Sequence, residues 1–227
     1  GDKGEVPTVS QALAAAGVTV FDVRYRLAPE HPFPAAIADV KCLLGRLREQ
    51  ADRYGIAPQR AALIGRSAGG EIVLVAAYSA GSRLILPACA VADEPVRTVI
   101  GVYPSTDLAY AYENVALPDI LESRDTLTKY LGGPPLDKLE LYRQATPMTW
   151  VDKAGARQLP TTLLLHGLDD LLVRPYHSQH LYDALVRNGQ TVTLLGIPGA
   201  DHGFDFRAGG IGEQIERAAV IDALRRL

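Results

Sequence analysis

Cysteine is scarce in this 227-residue chain, and the two that occur, Cys42 and Cys89, stand far apart. Cysteine-based metal sites use closely spaced pairs, which this spacing does not supply. Cys42 lies within a helical pattern, so we expect a buried free thiol. His177 and His180 have no third ligand at suitable spacing, and we interpret them as part of a solvated helix face. The sequence therefore predicts neither a metal site nor a cofactor.

Long apolar runs and strong net charge are also missing. No apolar run approaches the roughly 18 residues that a membrane helix needs. The net charge of −3 gives no reason to expect nucleic acid or an anionic membrane as a partner. With 48% hydrophobic and 22% charged residues, the composition is that of an ordinary globular domain. The composition leaves open whether the protein forms a homodimer.

Apolar, β-branched runs alternate with helical patterns along the chain. The predicted strands are residues 18–23, 60–64, 96–102, 161–165 and 191–195. The predicted helices are residues 6–16, 35–50, 68–80, 178–186 and 213–227. This alternation is typical of an α/β fold with a mostly parallel sheet and helices on both faces. We predict a single domain over residues 1–227, with an irregular, cap-like insertion at about 104–160.

The most specific motif is Gly-Arg-Ser-Ala-Gly-Gly at residues 65–70, between a predicted strand and a predicted helix. In that context G-x-S-x-G holds the serine hydroxyl on a strained turn above the sheet. The predicted nucleophile is therefore Ser67, and the Ala68 backbone N–H at the helix start is the predicted oxyanion donor. Glu71 follows in the first helical turn, where the helix dipole favours a carboxylate. A contact between Glu71 and a cationic or polar substrate group is the alternative.

Two further residues complete a serine-hydrolase pattern. A carboxylate pair, Asp169 and Asp170, follows the fourth predicted strand, and His202 follows the fifth. The order Ser, Asp, His is that of α/β-hydrolases. His202 is the predicted general base, and one of the two aspartates is the predicted orienting acid. Tyr103 and Asp107, after another strand, either line a pocket or form a capped turn with Asp107 as the N-cap.

The segment Tyr-Arg-Leu-Ala-Pro-Glu-His-Pro-Phe-Pro-Ala at residues 25–35 resembles the signature loop of the hormone-sensitive-lipase-like bacterial esterases. Residues 65–70 resemble that group's serine motif, and His-Gly-Phe at 202–204 resembles its histidine loop. The resemblance implies an α/β-hydrolase fold, short-to-medium acyl esters as substrates and no cofactor. Related hydrolases carry the orienting acid at the fifth position of His-Gly-x-x-Asp, which implies Asp170 for that role, with Asp169 as the fallback. The loop at residues 24–34 is expected to support the site rather than to contact substrate.

The chain departs from that group at two points. Arg66 precedes the serine where the group usually has aspartate, and we expect this change to tune the site. The group also carries a His-Gly-Gly-Gly-type oxyanion loop upstream of the signature loop, and these residues contain none. We therefore expect the first strands of the fold to be absent here and the intact protein to be longer.

Two other functions remain open. A prolyl-oligopeptidase-like peptidase shares the serine motif and the His-Gly-x-x-Asp segment, but it would normally carry an N-terminal propeller and a site for the peptide amine. A non-catalytic hydrolase-fold fragment or binding protein would fit the missing oxyanion loop. Each differs from an esterase in whether Ser67 reacts and with which substrate.

Overall fold

The sheet at the centre of the molecule is entirely parallel. The computed structural model describes residues 7–116, 119 and 122–226. Its strands are β1 (Ala62–Arg66), β2 (Thr98–Val102), β3 (Thr161–Gly167) and β4 (Val192–Ile197). They lie in the order β1-β2-β3-β4, and each pairs in parallel with its neighbour. All four carboxyl ends therefore meet at one edge, where α/β proteins place their functional groups.

Helices follow the strands and cover both faces of the sheet. Those before β2 are α1 (Pro7–Ala15), α2 (Ala35–Glu49), α3 (Ala51–Tyr54) and α4 (Ala68–Tyr78). Those between β2 and β3 are α5 (Leu108–Glu113), α6 (Ser123–Leu131), α7 (Leu139–Ala145) and α8 (Pro147–Ala154). The last two are α9 (Tyr176–Arg187) and α10 (Ile211–Arg225). Among the described residues, none of these helices has the length and hydrophobicity needed to span a bilayer.

Alternate side chains of the central strands supply two separate cores. In β3, Leu164 points into the core beneath α2, α4, α8 and α9, whereas Leu163 and Leu165 join the core beneath α1 and α10. This period of two is the geometry of a strand that is buried on both faces. Trp150 lies in the first core and donates its indole N–H to the Gln144 carbonyl at 2.7 Å. The predicted α/β class is confirmed.

One predicted strand is wrong. Residues 18–23 do not form a strand, so the described part of the chain has four strands rather than five. Val18 and Val20 still pack against the core beneath α1 and α10. Their β-branched side chains favour an extended chain, but a strand also requires ladder hydrogen bonds to a neighbour. The outer ends of the first and last predicted helices, at residues 6 and 227, lie outside the described residues.

The predicted free thiol is also wrong, because Cys42 and Cys89 form a disulfide that closes a 47-residue separation. The segment after α4 folds back over α2 and brings the two residues together. Buried Lys41, beside Cys42, holds this segment by donating from Nζ to the Ser79 and Ile85 carbonyls and to Asp93. Sequence spacing cannot reveal such a pair, because the contact depends on the path of an irregular loop.

Candidate active site

Ser67 occupies a strained turn between β1 and α4. Its φ is +51° and its ψ is −121°, a backbone conformation that residues other than glycine seldom adopt. The turn is tight because a Cβ at position 65 would lie 2.1 Å from the Gly69 carbonyl oxygen, and one at position 70 would lie 2.8 Å from Pro104. Glycine at both positions therefore lets the chain reverse sharply and present the Ser67 hydroxyl at the sheet edge.

The structure brings together the three side chains that the sequence predicts. The Ser67 Oγ lies 3.1 Å from the His202 Nε2, and the His202 Nδ1 lies 2.7 Å from the Asp170 Oδ2. These residues follow β1, β4 and β3, whose carboxyl ends share one edge. Proton donation from Nδ1 to Asp170 leaves Nε2 free to accept the serine proton. The arrangement can therefore activate a hydroxyl nucleophile.

Asp170, rather than the fallback Asp169, is the carboxylate that contacts His202. Asp169 is exposed, whereas Asp170 is buried. The Asp170 Oδ1 accepts hydrogen bonds from the backbone N–H groups of Leu172 and Val173, at 2.9 and 2.8 Å. Burial opposes ionisation, but hydrogen bonding from His166 and His202 outweighs it and holds the pKa of Asp170 at about 2. The carboxyl is therefore anionic at neutral pH.

This low pKa predicts a loss of stability in acid. A carboxylate whose pKa falls on folding contributes stability that is complete above its unfolded value near 4 and is lost as the pH falls toward 2. We expect the difference in unfolding free energy between wild type and Asp170→Asn to shrink over that interval. Urea titrations at several pH values measure it. A difference that stays constant from pH 6 to pH 2 would contradict the assignment.

His166 supports the Asp170 loop, a role that the sequence did not suggest. The His166 Nε2 donates to the Val173 carbonyl at 2.7 Å and lies 3.4 Å from the Asp170 Oδ2. With that proton on Nε2, Nδ1 accepts from the Ser178 hydroxyl at 2.6 Å. The ring is buried and has partners on both nitrogens, so it fixes the loop that carries Asp170.

Tyr103 and Arg66 anchor the His202 loop from beneath. The Tyr103 ring lies 4.4 Å from the His202 ring, and its hydroxyl donates to Asp205 at 2.6 Å. Arg66 pairs with Asp205 at 2.5 Å and also with Glu216 of α10. Its side chain is thus held by these two carboxyl groups. Tyr103 packs beneath the histidine rather than lining the cavity.

The predictions for Asp107, before α5, and for His177, in α9, have opposite outcomes. Asp107 is the N-cap of α5, because its Oδ1 accepts the Tyr110 N–H at 3.0 Å. The interpretation of His177 as solvated is wrong: it is 3% exposed, and its Nδ1 accepts the N–H groups of Thr106 and Asp107. Burial lowers the pKa of His177 to about 4, so the ring is neutral at pH 7. Spacing alone could not show that Thr106 and Asp107 would cover it.

A cavity of about 400 Å³ opens beside Ser67. Its walls come from residues 25–36, the start of α4, the segment between β2 and α6, and the Asp170 loop. The loop at residues 24–34, expected only to support the site, contributes Tyr25, Leu27 and His31 to the wall. A larger depression of about 610 Å³ beside β4 includes neither Ser67 nor His202. The smaller cavity is therefore the one that serves the candidate site.

A parallel sheet with a serine on a strained strand–helix turn, followed by an aspartate and a histidine at the same edge, defines the α/β-hydrolase fold. Within that fold, the chain belongs to the BD-FAE family, whose model matches residues 1–185. The predicted relationship to hormone-sensitive-lipase-like esterases is thereby confirmed.

Known proteins agree with this assignment. Esterase LipC of Mycobacterium tuberculosis is 30% identical over 88% of this chain and 49% of its own length. The ethyl acetate hydrolase of Pseudomonas putida is 30% identical over 93% of this chain and 64% of its own. A solved esterase from Rhizomucor miehei, 22% identical, has the same fold over all of this chain and 70% of its own, with a TM-score of 0.83. The chain thus spans about half to two thirds of these curated relatives.

Proposed function

We propose that this chain carries out carboxylic-ester hydrolysis on short-to-medium acyl esters through a serine acyl-enzyme. The observation that carries the proposal is the hydrogen-bonded series from Ser67 through His202 to buried Asp170, beside an open cavity. The relatives named esterase and ethyl acetate hydrolase support the reaction class. A cavity of about 400 Å³ lies at the small end of ligand pockets, which favours short-to-medium substrates.

In the acylation step, the Ser67 oxygen attacks the ester carbonyl carbon while His202 Nε2 takes the hydroxyl proton. Negative charge collects on the carbonyl oxygen, and Asp170 stabilises the imidazolium that forms. The C–O bond to the alcohol then breaks. His202 returns its proton to the departing oxygen, so the alcohol leaves neutral and the acyl group stays on Ser67.

Deacylation repeats the chemistry with water as the nucleophile. His202 removes a proton from water, the oxygen attacks the acyl carbon, and the proton passes to the Ser67 oxygen as it leaves. The carboxylic acid is released and the serine is regenerated. None of these steps uses a metal or a cofactor.

The Ala68 N–H is the oxyanion donor in this proposal. Ala68 is the first residue of α4, and the first four N–H groups of a helix have no acceptor within it. Ala68 also lines the cavity beside Ser67. A donor at this position stabilises the oxyanion more strongly than the neutral carbonyl oxygen, and this difference accelerates the reaction.

Residues 104–160 act as a cap-like insertion of a single catalytic domain in this proposal. Ser105, Leu108 and Tyr110, near its start, line the cavity, as do Leu127 and Tyr130 of α6. Variation in this segment would therefore change which esters fit without changing the residues that react.

A fluorophosphonate probe tests the nucleophile directly. We expect stoichiometric labelling of Ser67 at neutral pH, located by peptide mapping, and its loss in Ser67→Ala. Ser82→Ala, a change in the turn after α4, is the matched control and should label normally. Labelling that persists in Ser67→Ala, or wild-type protein that does not label, would contradict the proposal.

Substrate comparison separates the ester and peptide reactions. We expect p-nitrophenyl butyrate to be hydrolysed at least 100-fold faster than aminoacyl nitroanilides, as judged by kcat/KM, a difference of about 3 kcal/mol in transition-state stabilisation. Turnover of the anilides alone would favour the peptidase alternative.

A further inference from the structure

Glu71 is a buried acid in the wall of the Ser67 cavity. It lies in the first turn of α4, four residues after Ser67, and both residues line the cavity. Its side chain is only 2% exposed, yet it lines the cavity. The helix dipole accounts for an acid in this turn, but it does not account for one that is withdrawn from water.

The two oxygens of Glu71 have different surroundings. The Oε2 accepts a hydrogen bond from the Tyr130 hydroxyl at 3.3 Å. The Oε1 is buried and has no hydrogen-bond partner among the described residues. Burial raises the pKa of Glu71 well above its usual value, and the Tyr130 hydrogen bond only partly opposes this rise. A neutral carboxyl would carry its proton on Oε1, because Oε2 is already an acceptor.

The charge of the cavity wall narrows the class of ligand. Glu71 is the only carboxyl group among the described residues that line the cavity. The basic residues of the wall are Arg174 and two that form ion pairs, Arg26 with Asp39 and Lys129 with Asp125. A cationic substrate group would therefore meet an acid whose charged form is disfavoured by burial, and no other carboxyl group in the described wall. An uncharged oxygen atom of a substrate could instead accept a hydrogen bond from the proton on Oε1. That proton has no acceptor among the described residues.

We propose that the Glu71 carboxyl binds the substrate of this site by donating a hydrogen bond from Oε1 to an uncharged oxygen of the ester. The inference rests on the proposed ester hydrolysis and adds the substrate class. The preferred esters carry an ether, hydroxyl or carbonyl oxygen a few bonds beyond the scissile group, on the side of the cavity that Glu71 lines. Purely aliphatic esters of the same length would leave Oε1 without an acceptor.

Matched esters test this preference. The acyl pair is p-nitrophenyl pentanoate and p-nitrophenyl 3-methoxypropanoate, which differ by an oxygen in place of one methylene. The alcohol pair is butyl butanoate and 2-methoxyethyl butanoate. An ether oxygen only accepts hydrogen bonds, so it reports on a donor at Glu71. We expect kcat/KM to favour the oxygen-containing ester in at least one pair, by about threefold to tenfold.

Variants assign that preference to the carboxyl. We expect Glu71→Leu and Glu71→Met to bring the ratio of kcat/KM values within a pair close to the ratio of the two esters' rates of alkaline hydrolysis without enzyme. Glu71→Gln keeps an N–H donor and should keep the preference. Glu49→Leu, an exposed acid at the end of α2, is the matched control. The amount of folded enzyme cancels within each ratio, and inherent differences in ester reactivity cancel when the ratio of a variant is compared with that of the wild type.

The outcomes separate this inference from the proposed function. Turnover of all four esters without a preference for either oxygen-containing ester would overturn the role of Glu71 and leave the esterase proposal intact. A preference that survives in both Glu71→Leu and Glu71→Met would do the same. If the wild-type protein hydrolyses none of the four esters, both proposals fail.

Discussion

Replacing Asp170 with asparagine is expected to lower kcat for ester hydrolysis about 10⁴-fold, with little change in fold. The Asp170 Oδ1 accepts two backbone N–H groups, so an asparagine would turn its amide oxygen to that side. Its NH₂ group would then face the His202 Nδ1, where the carboxylate now accepts. That donor forces the imidazole proton onto Nε2, and Nε2 can no longer take the serine proton.

Asp169→Asn is the matched control for this prediction. The neighbouring carboxyl is exposed and does not contact His202, so we expect its kcat to stay within about twofold of wild type. Initial rates with p-nitrophenyl butyrate, together with melting curves of both variants, measure the effect. A similar loss in the two variants would mean that charge near the loop matters rather than the tautomer of His202. An unchanged rate in Asp170→Asn would rule out its predicted role.

The parts of the molecule that sequence could predict are those set by local pattern. Apolar runs and helical spacing predicted the four strands to within a few residues, since burial on both faces demands such runs. The turn at Ser67 was predictable from its glycines. Neighbouring atoms come so close to the backbone there that a side chain with a Cβ would collide with them. The choice of Asp170 over Asp169 came from family resemblance, and burial now gives it a physical reason.

The parts that sequence missed depend on contacts between distant segments. The Cys42–Cys89 disulfide and the covering of His177 both arise from loops whose paths leave no periodic signal. Arg66 was expected to tune the site, but its partners, Asp205 and Glu216, lie 139 and 150 residues away. One weak signal was available: a charged residue directly before a buried turn needs an opposite charge somewhere in the fold.

That ion cluster leads to the second large prediction. Replacing Arg66 with methionine is expected to lower the free energy of unfolding by about 3–5 kcal/mol. Arg66 is the cation between two carboxyl groups whose side chains are fully buried, and Glu216 Oε2 already has no hydrogen-bond partner among the described residues. Removing the guanidinium leaves Asp205 with the Tyr103 hydroxyl and Glu216 with no cation. Urea unfolding at pH 7 measures the loss.

The neighbours of Arg66 determine how this loss should vary. Burial and the nearby Asp205 raise the pKa of Glu216, so its contribution to stability is present at low pH and declines as rising pH ionises it. Arg66 opposes this rise and holds the pKa of Glu216 at about 8, so the cost of Arg66→Met should grow as the pH rises past 8, where Glu216 ionises only with the guanidinium beside it. Adding Asp205→Asn and Glu216→Gln should recover most of the lost stability, because no buried charge then remains.

Arg46→Met, at an exposed pair with Glu49, is the control and should change stability by less than about 1 kcal/mol. A cost as small as that for Arg66→Met would show that the cluster is not a buried ion network. Because Asp205 lies on the loop that carries His202, we also expect kcat to fall in Arg66→Met and to recover less than stability does in the triple variant.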